Sequence, residues 1–237
     1  MMYDPKDSWT NHFADQKQSL SLPAQGLIRL VKGEYPRHTR IDLTGLQVLD
    51  LGSGDGRNSE FLRSQGANVS GVEVSEGICA RARERFPRVD FRTGTSMSLP
   101  FPDDTFDVLV AWNSIYYMND EADVVEEHFA EAKRVLKETG RILLSIPMPS
   151  SFIYANAPTV KTNKRQGGST IEYVKITDDP FQTRNGATLA KFVNLEGLLD
   201  LLHRSGFGRV VVGEEMGDWF GLRYDWWILD CAFSGEG

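Results

Sequence analysis

Gly52, Gly54 and Gly56 alternate directly after an apolar run at residues 47–51 and directly before a helical pattern at 57–65. Carboxylates frame them. Asp50 closes the run, Asp55 lies in the turn, and Glu73 follows at about 20 residues' distance. Glycines at a strand–turn–helix junction adopt positive φ and let a ligand approach the backbone closely. The helix N-terminus behind them presents N–H groups to that ligand. The arrangement predicts a small-molecule cradle, and the acids decide what it can hold.

Two phosphate-binding readings fail on spacing and charge. A P-loop needs Gly-x-x-x-x-Gly-Lys-Ser/Thr, and no such Lys pair follows here. A dinucleotide turn is Gly-x-Gly-x-x-Gly; here the third glycine comes one residue early and Arg57 takes its place. Asp50, Asp55 and Glu73 would also repel a pyrophosphate. The same acids suit a ligand with an ammonium, a sulfonium and ribose hydroxyls, which describes S-adenosylmethionine.

The pattern predicts the elements that must position these residues. Strands are expected at 46–51, 68–74, 89–92, 106–111 and 141–146. Helices are expected between them at 58–65, closed by Gly66, at 75–85, and at 120–137, closed by Gly140. Strands alternating with helices mean βαβ units and a parallel sheet. The fourth strand is apolar enough to be buried on both faces. The alternation lapses from 147 to 192, apart from a candidate strand at 171–176. A helix capped by Asn194 and closed by Gly206 follows. Strands at 209–213 and 226–233 then flank an aromatic loop with Trp219, Phe220 and Tyr224. Residues 1–22 are polar with scattered aromatics, and 23–31 read as a short helix with Pro23 near its start. Residues 1–40 therefore form a leader that either packs on the domain or folds over the ligand. Residues 41–237 form the domain, with 147–192 as a substrate-side insertion.

The chain resembles the class I S-adenosylmethionine-dependent methyltransferases. The matching residues are Asp50-Leu51-Gly52-Ser53-Gly54-Asp55-Gly56, the acid Glu73, and the run from Leu99-Pro100-Phe101-Pro102 to Phe106-Asp107. The Leu136-Lys137-Glu138-Thr139-Gly140-Arg141 turn and Ser205-Gly206-Phe207 match as well. The resemblance spans roughly residues 40–150 and 194–233. It implies an α/β fold: a seven-stranded, mostly parallel, doubly wound sheet with an antiparallel last strand and helices on both faces. It adds an N-terminal helical leader and an insertion after strand five.

The resemblance also implies roles. Gly52, Ser53 and Gly54 wrap the methionine and ribose part of the cofactor, and Asp50 reaches its ammonium directly or through water. Glu73 takes both ribose hydroxyls, since one carboxylate can accept two hydrogen bonds. Val74 and Ile78 flank the adenine, Thr95, Ser96 and Met97 edge it, and Trp112 and Asn113 lie near the amino-acid end. Gly94-Thr95-Ser96 stands where many relatives carry Gly-Asp-Ala, so Ser96 or backbone must replace the acid that holds the adenine amine. Tyr116 and Tyr117 stand where many relatives carry histidines. They either pack or touch substrate or cofactor, Tyr117 being the preferred contact. S-adenosylhomocysteine would be the product.

Of 237 residues, 41% are hydrophobic and 25% charged, which is ordinary for a globular protein. The net charge of −7 disfavours nucleic acid, as does Trp112-Asn113-Ser114-Ile115 where base-methylating relatives carry Asn/Asp-Pro-Pro-Tyr/Phe. Two cysteines, Cys79 and Cys231, form no metal cluster, and with no signal peptide they suit a reducing cytoplasm. No apolar run is long enough to span a membrane. His12 and His38 read as surface residues, and His128 and His203 as structural ones away from the site. Lys161, Lys164 and Arg165 read as a solvated loop face or as a contact for an acidic substrate. The expected activity is in-line methyl transfer to oxygen or nitrogen of a small organic molecule, driven by proximity, with no general base identified. The alternatives are a non-catalytic cofactor-binding protein, a protein or nucleic-acid methyltransferase, and a dinucleotide oxidoreductase.

Overall fold

The computed structural model describes residue 10 and residues 22–120, 122–164 and 170–233. Tyr3, Trp9, His12, Phe13 and Arg165 lie outside the described residues. The main sheet has seven strands: β1 (Gln47–Leu51), β2 (Asn68–Glu73), β3 (Asp90–Thr93), β4 (Phe106–Trp112), β6 (Leu136–Pro147), β10 (Phe207–Trp219) and β11 (Leu222–Phe233). Their order across the sheet is β10-β11-β6-β4-β1-β2-β3. β11 runs opposite to the other six strands, with Leu229 opposite Leu144 of β6 and Val212 of β10. The strand order reverses at β1 and β4, where Leu49 pairs with Leu109 and with Ser70 of β2. A ligand crevice forms outside the carboxyl ends of such strands.

Alternation along each strand sends side chains into two cores. Leu49, Leu109 and Leu144 face α4 (Val125–Val135) and α5 (Leu195–Arg204). Val48, Val108 and Leu143 face α1 (Gln25–Lys32), α2 (Arg57–Ser64) and α3 (Glu76–Arg85). This two-sided cover is why β4 reads as a continuous apolar run.

Three departures from the sequence expectation have local causes. The helix expected at 120–137 is confined to α4. Before it, the Asp123 carboxylate accepts the Asn119 and Asp120 N–H groups and holds a turn. After it, the Asp104 and Thr105 N–H groups take the Arg134 and Val135 carbonyls, so the helix stops well before Gly140. The described residues of the insertion contribute β7 (Thr159–Lys164), β8 (Thr170–Lys175) and β9 (Thr188–Phe192), which with β5 (Tyr117–Met118) from the turn after β4 form a second sheet in the order β5-β9-β8-β7. Its Ile171, Tyr173, Leu189 and Phe192 enter the α4–α5 core. The aromatic loop is the end of a long hairpin. Phe220 and Gly221, both at positive φ, make its turn, which matches the strand twist. Trp219 and Phe220 are exposed, whereas Tyr224 stacks on Trp226 at 3.8 Å.

The described part of the leader is packed. Leu27, Leu30 and Val31 of α1 are buried against the sheet, and the Ala24 N–H donates to Asn58 Oδ1 of α2 at 3.0 Å. His38 is buried as well, contrary to its surface reading: its Nε2 lies 2.6 Å from the Leu30 carbonyl and its Nδ1 3.7 Å from Asp230. Val31→Ala removes two buried methyl groups and is expected to cost about 1.5 kcal/mol, measured as a shift in urea midpoint at unchanged m. No helix among the described residues is long and apolar enough to cross a membrane.

Candidate active site

The glycine turn closes β1 at the switch point. Gly52, Gly54 and Gly56 take φ of 72°, 53° and 83°. A Cβ on Gly52 would lie 2.5 Å from that of Ser114, in the turn after β4. Ser114 in turn donates its hydroxyl to the Leu51 carbonyl at 2.6 Å, tying the two strand ends together. Gly52→Ala combines that clash with a left-handed conformation costing about 1–2 kcal/mol. A lowered melting temperature together with weakened ligand binding is the expected result, measured by calorimetry.

The N–H groups of the turn itself are engaged within the protein. Those of Gly52 and Ser53 both donate to the Val72 carbonyl, that of Gly56 to the Ser53 carbonyl, and that of Gly54 to Glu73 Oε2. A turn so engaged is ill-suited to a pyrophosphate and leaves recognition to the carboxylates.

Glu73 ends β2, is buried, and has both oxygens fixed by backbone: Oε2 by Gly54 and Oε1 by the Val74 N–H at 2.8 Å. Burial raises its pKa, against the two N–H groups that favour the charged form. Asp50 is buried under the turn, where Oδ2 accepts the Ser59 hydroxyl at 2.5 Å. Burial pushes its pKa to about 6; the Ser59 bond opposes this, and the charges of Glu73 and Asp55 add to it. Among the described residues neither acid forms an ion pair; two carboxylates sit close together in a low-dielectric cradle, and the charge of Arg57 offsets their repulsion at Asp50 only in part.

The other expected contacts divide. Gly52 and Asn113 are exposed at the crevice, and Val74, Thr95, Ser96 and Met97 are half-buried beside it. Ile78 is fully buried and in this conformation offers no surface to an adenine. Ser53 Oγ is buried without a partner among the described residues and points toward Gly71 of β2, so the crevice receives only its backbone. Trp112 lies under α1, where a Cβ on Gly26 would meet its ring at 2.8 Å. Asn113 has φ of 57°; its N–H donates to Ser145 Oγ, whose hydroxyl donates back to Asn113 Oδ1. Tyr116 is buried against Tyr117, with ring centroids 5.0 Å apart.

His128, expected to be structural and away from the site, is fully buried in α4 and touches the loop that carries Ser96. His128 Nδ1 lies 3.0 Å from Ser96 Oγ and 3.1 Å from the Ile115 carbonyl. The carbonyl can only accept, which assigns the proton to Nδ1, so the Ser96 hydroxyl does not donate to this ring. Glu131 holds the same loop through the Leu99 N–H. These contacts span 32 positions in sequence, and only the i, i+3 spacing of His128 and Glu131 on one helix face could have suggested them. Arg184 was missed altogether. Its Nε donates to Tyr117 Oη at 3.0 Å, and its terminal nitrogen lies 3.1 Å from Asp179.

No group of described residues is arranged to hold a metal ion. No phenol in the crevice is set up as a base either, since burial raises the pKa of Tyr116 and Tyr117, and that of Tyr224 to about 12.

A family profile described as a methyltransferase domain matches residues 48–140. The chain is similar to a demethylmenaquinone methyltransferase of Clavibacter sepedonicus, 28% identical over 69% of each chain. It is also similar to the 27-O-demethylrifamycin SV methyltransferase of Amycolatopsis mediterranei, 33% identical over 46% of this chain and 42% of the relative. The chain spans about 40% of the length of the first curated relatives it matches. In fold it is similar to a SAM-dependent methyltransferase of Thermotoga maritima, with a TM-score of 0.63 and 21% identity over 96% of this chain and 99% of the other. The glycine turn, the acid that ends β2, the sheet order and these likenesses agree: residues 48–140 match a methyltransferase domain, and the chain is similar in sequence and fold to S-adenosylmethionine-dependent methyltransferases.

Proposed function

We propose that this protein transfers a methyl group from S-adenosylmethionine to an oxygen or nitrogen of a small organic molecule. The observation that carries this reading is the pair of buried carboxylates at the switch point, Asp50 and Glu73, which form no ion pair among the described residues. A ligand with an ammonium, a sulfonium and a ribose diol satisfies both; a pyrophosphate would be repelled by both. Glu73, with each oxygen held by one N–H, keeps acceptor capacity for two ribose hydroxyls. Asp50 and the Asn113 side chain would serve the amino-acid end. Val74 and the loop at 95–97 would serve the adenine, with the Ser96 hydroxyl in place of the usual acid.

The bound sulfonium supplies an activated methyl group. The chain's own residues orient the acceptor, keep water out and hold the reacting atoms in line, which can supply most of the acceleration. A cavity of about 360 Å³ opens beyond the carboxyl end of β6, away from the glycine turn, lined among others by Pro149, Phe152, Tyr154, Pro180, Leu222 and Arg223. Its walls are mixed polar and apolar and include no residue of the glycine turn, so the small-molecule class rests on the relatives named for demethylmenaquinone and demethylrifamycin. The test is incubation with S-adenosylmethionine and a panel of phenols, amines and carboxylates, followed by S-adenosylhomocysteine. Acceptor-dependent release supports methyl transfer. Tight cofactor binding with no release against any acceptor would make the protein a non-catalytic binder.

A further inference from the structure

The cavity beyond the carboxyl end of β6 carries polar groups that the fold leaves unused. Ser151 stands at the head of the short helical turn Phe152–Tyr154, where a serine commonly caps, yet its hydroxyl makes no cap. The residue is only 2% exposed, and its Oγ has no partner among the described residues. A buried hydroxyl without a partner destabilises the empty protein. Ser151 lies on the cavity wall, where a ligand can supply that partner.

Two charged side chains line the same cavity. Arg223, at the start of β11, donates Nε to Asp225, whose same oxygen also accepts the Ser150 hydroxyl. Asp225 is buried, so the guanidinium is fixed by one edge, and its terminal nitrogens make no hydrogen bond among the described residues. They remain as paired donors that match a carboxylate. Asp178, from the insertion, is exposed, and its carboxylate forms no hydrogen bond or ion pair among the described residues. Apolar surface fills the rest. The Phe152 ring packs edge-on against Phe181 at 6.0 Å, and Tyr154 offers only its ring, because its hydroxyl donates to the Ala190 carbonyl.

These groups select a ligand by its charges. Asp225 balances Arg223, so Asp178 leaves the walls with negative charge in excess. A ligand with only a carboxylate would meet that excess. A ligand with only an ammonium would pair with Asp178 and leave the Ser151 and Arg223 donors unmatched. We propose that this cavity is a second ligand site, separate from the glycine-turn crevice, and that it takes a small zwitterion. The ligand is an α-amino acid, with its carboxylate on Arg223 and Ser151, its ammonium on Asp178 and its side chain against Phe152. At about 360 Å³ the cavity stands near the lower end of the range for small-molecule sites, which suits a ligand of that size. The proposal concerns binding, goes beyond the methyl-transfer reading and does not rest on it.

The test is calorimetric titration of the full chain with L-phenylalanine, and with 3-phenylpropionate and 2-phenylethylamine as analogues that each lack one of its charges. L-phenylalanine is expected to bind one-to-one, with both analogues weaker by at least about tenfold. Arg223→Gln should weaken L-phenylalanine by at least about tenfold and leave 2-phenylethylamine unchanged. Asp178→Asn should weaken L-phenylalanine and leave 3-phenylpropionate no weaker. Ser151→Ala removes no hydrogen bond from the empty protein, so it should weaken L-phenylalanine without lowering the melting temperature. If Arg223→Gln, which strips buried Asp225 of its cation, does not fold, the Asp178 and Ser151 variants decide. No saturable binding of L-phenylalanine, analogues that bind as tightly, or an affinity equal in wild type and every folded variant overturns the proposal. S-adenosylhomocysteine titrated into the same samples reports on the glycine-turn crevice independently and should bind every folded variant as it binds wild type. Its failure to bind wild type would count against the methyl-transfer reading alone.

Discussion

Glu73→Ala is expected to weaken S-adenosylmethionine binding by about 1–3 kcal/mol, roughly 5- to 150-fold, through loss of charge-assisted hydrogen bonds to the ribose. The effect has two parts. The variant deletes the acceptor of the hydroxyls, and it also frees the Gly54 and Val74 N–H groups that Glu73 now holds. Glu73→Gln separates them. It keeps one carboxamide oxygen for an N–H and loses the charge, so its affinity should fall between wild type and Glu73→Ala. Calorimetric titration measures both, and equal affinity of all three proteins would remove Glu73 from the site.

Asp50→Asn is expected to move stability and binding in opposite directions. The folded-state pKa of Asp50 is raised to about 6 from an ordinary 3.8. A carboxyl raised in this way binds its proton more tightly when folded. Its contribution is fully present below about pH 4 and is lost as pH rises through about 6. Above that, ligand-free protein carries a buried charge with no ion pair among the described residues, at a cost on the order of 2–3 kcal/mol. Asparagine removes the charge and still accepts the Ser59 hydroxyl. Ligand-free Asp50→Asn should therefore melt several degrees above wild type at about pH 8, since about 1 kcal/mol shifts a chain of this size by ~2–4 °C, and match it near about pH 4. Its cofactor affinity should fall, because the ammonium loses its counter-charge. Thermal melts across pH, with and without S-adenosylmethionine, measure both. A variant that is less stable than wild type at both pH values would show that the Asp50 charge is not the cost described. A carboxylate kept at a cost to the empty protein is what a binding site imposes on a fold.

What could be read in the sequence was what short-range chemistry determines. The apolar run of β1, the alternating glycines and the acid ending β2 lie within 30 residues of one another, and their spacing already placed the cradle at a strand–helix junction. The seven-stranded order followed from strand–helix alternation and the family resemblance. What could not be read depends on partners distant in the chain. The stop of α4 is made by the Asp104 and Thr105 backbone, not by a glycine. The second sheet needs the two-residue strand Tyr117–Met118 to pair with Thr188 and Leu189, and so short a strand carries no periodicity. Arg184 meets Tyr117 across 67 positions, and His128 meets Ser96 across 32. Local propensity also says nothing about which side of a strand end is closed, which is why Ile78 and Trp112 were expected at the ligand and lie buried behind it.

The central claim is that this crevice is a cradle for a cationic nucleoside. Calorimetric titration of the full chain with S-adenosylmethionine and, separately, with NADH tests it most directly. The account predicts saturable one-to-one binding of S-adenosylmethionine that weakens in Glu73→Ala, with NADH much weaker or undetected. NADH bound more tightly than S-adenosylmethionine, or S-adenosylmethionine affinity unchanged by Glu73→Ala, would contradict it.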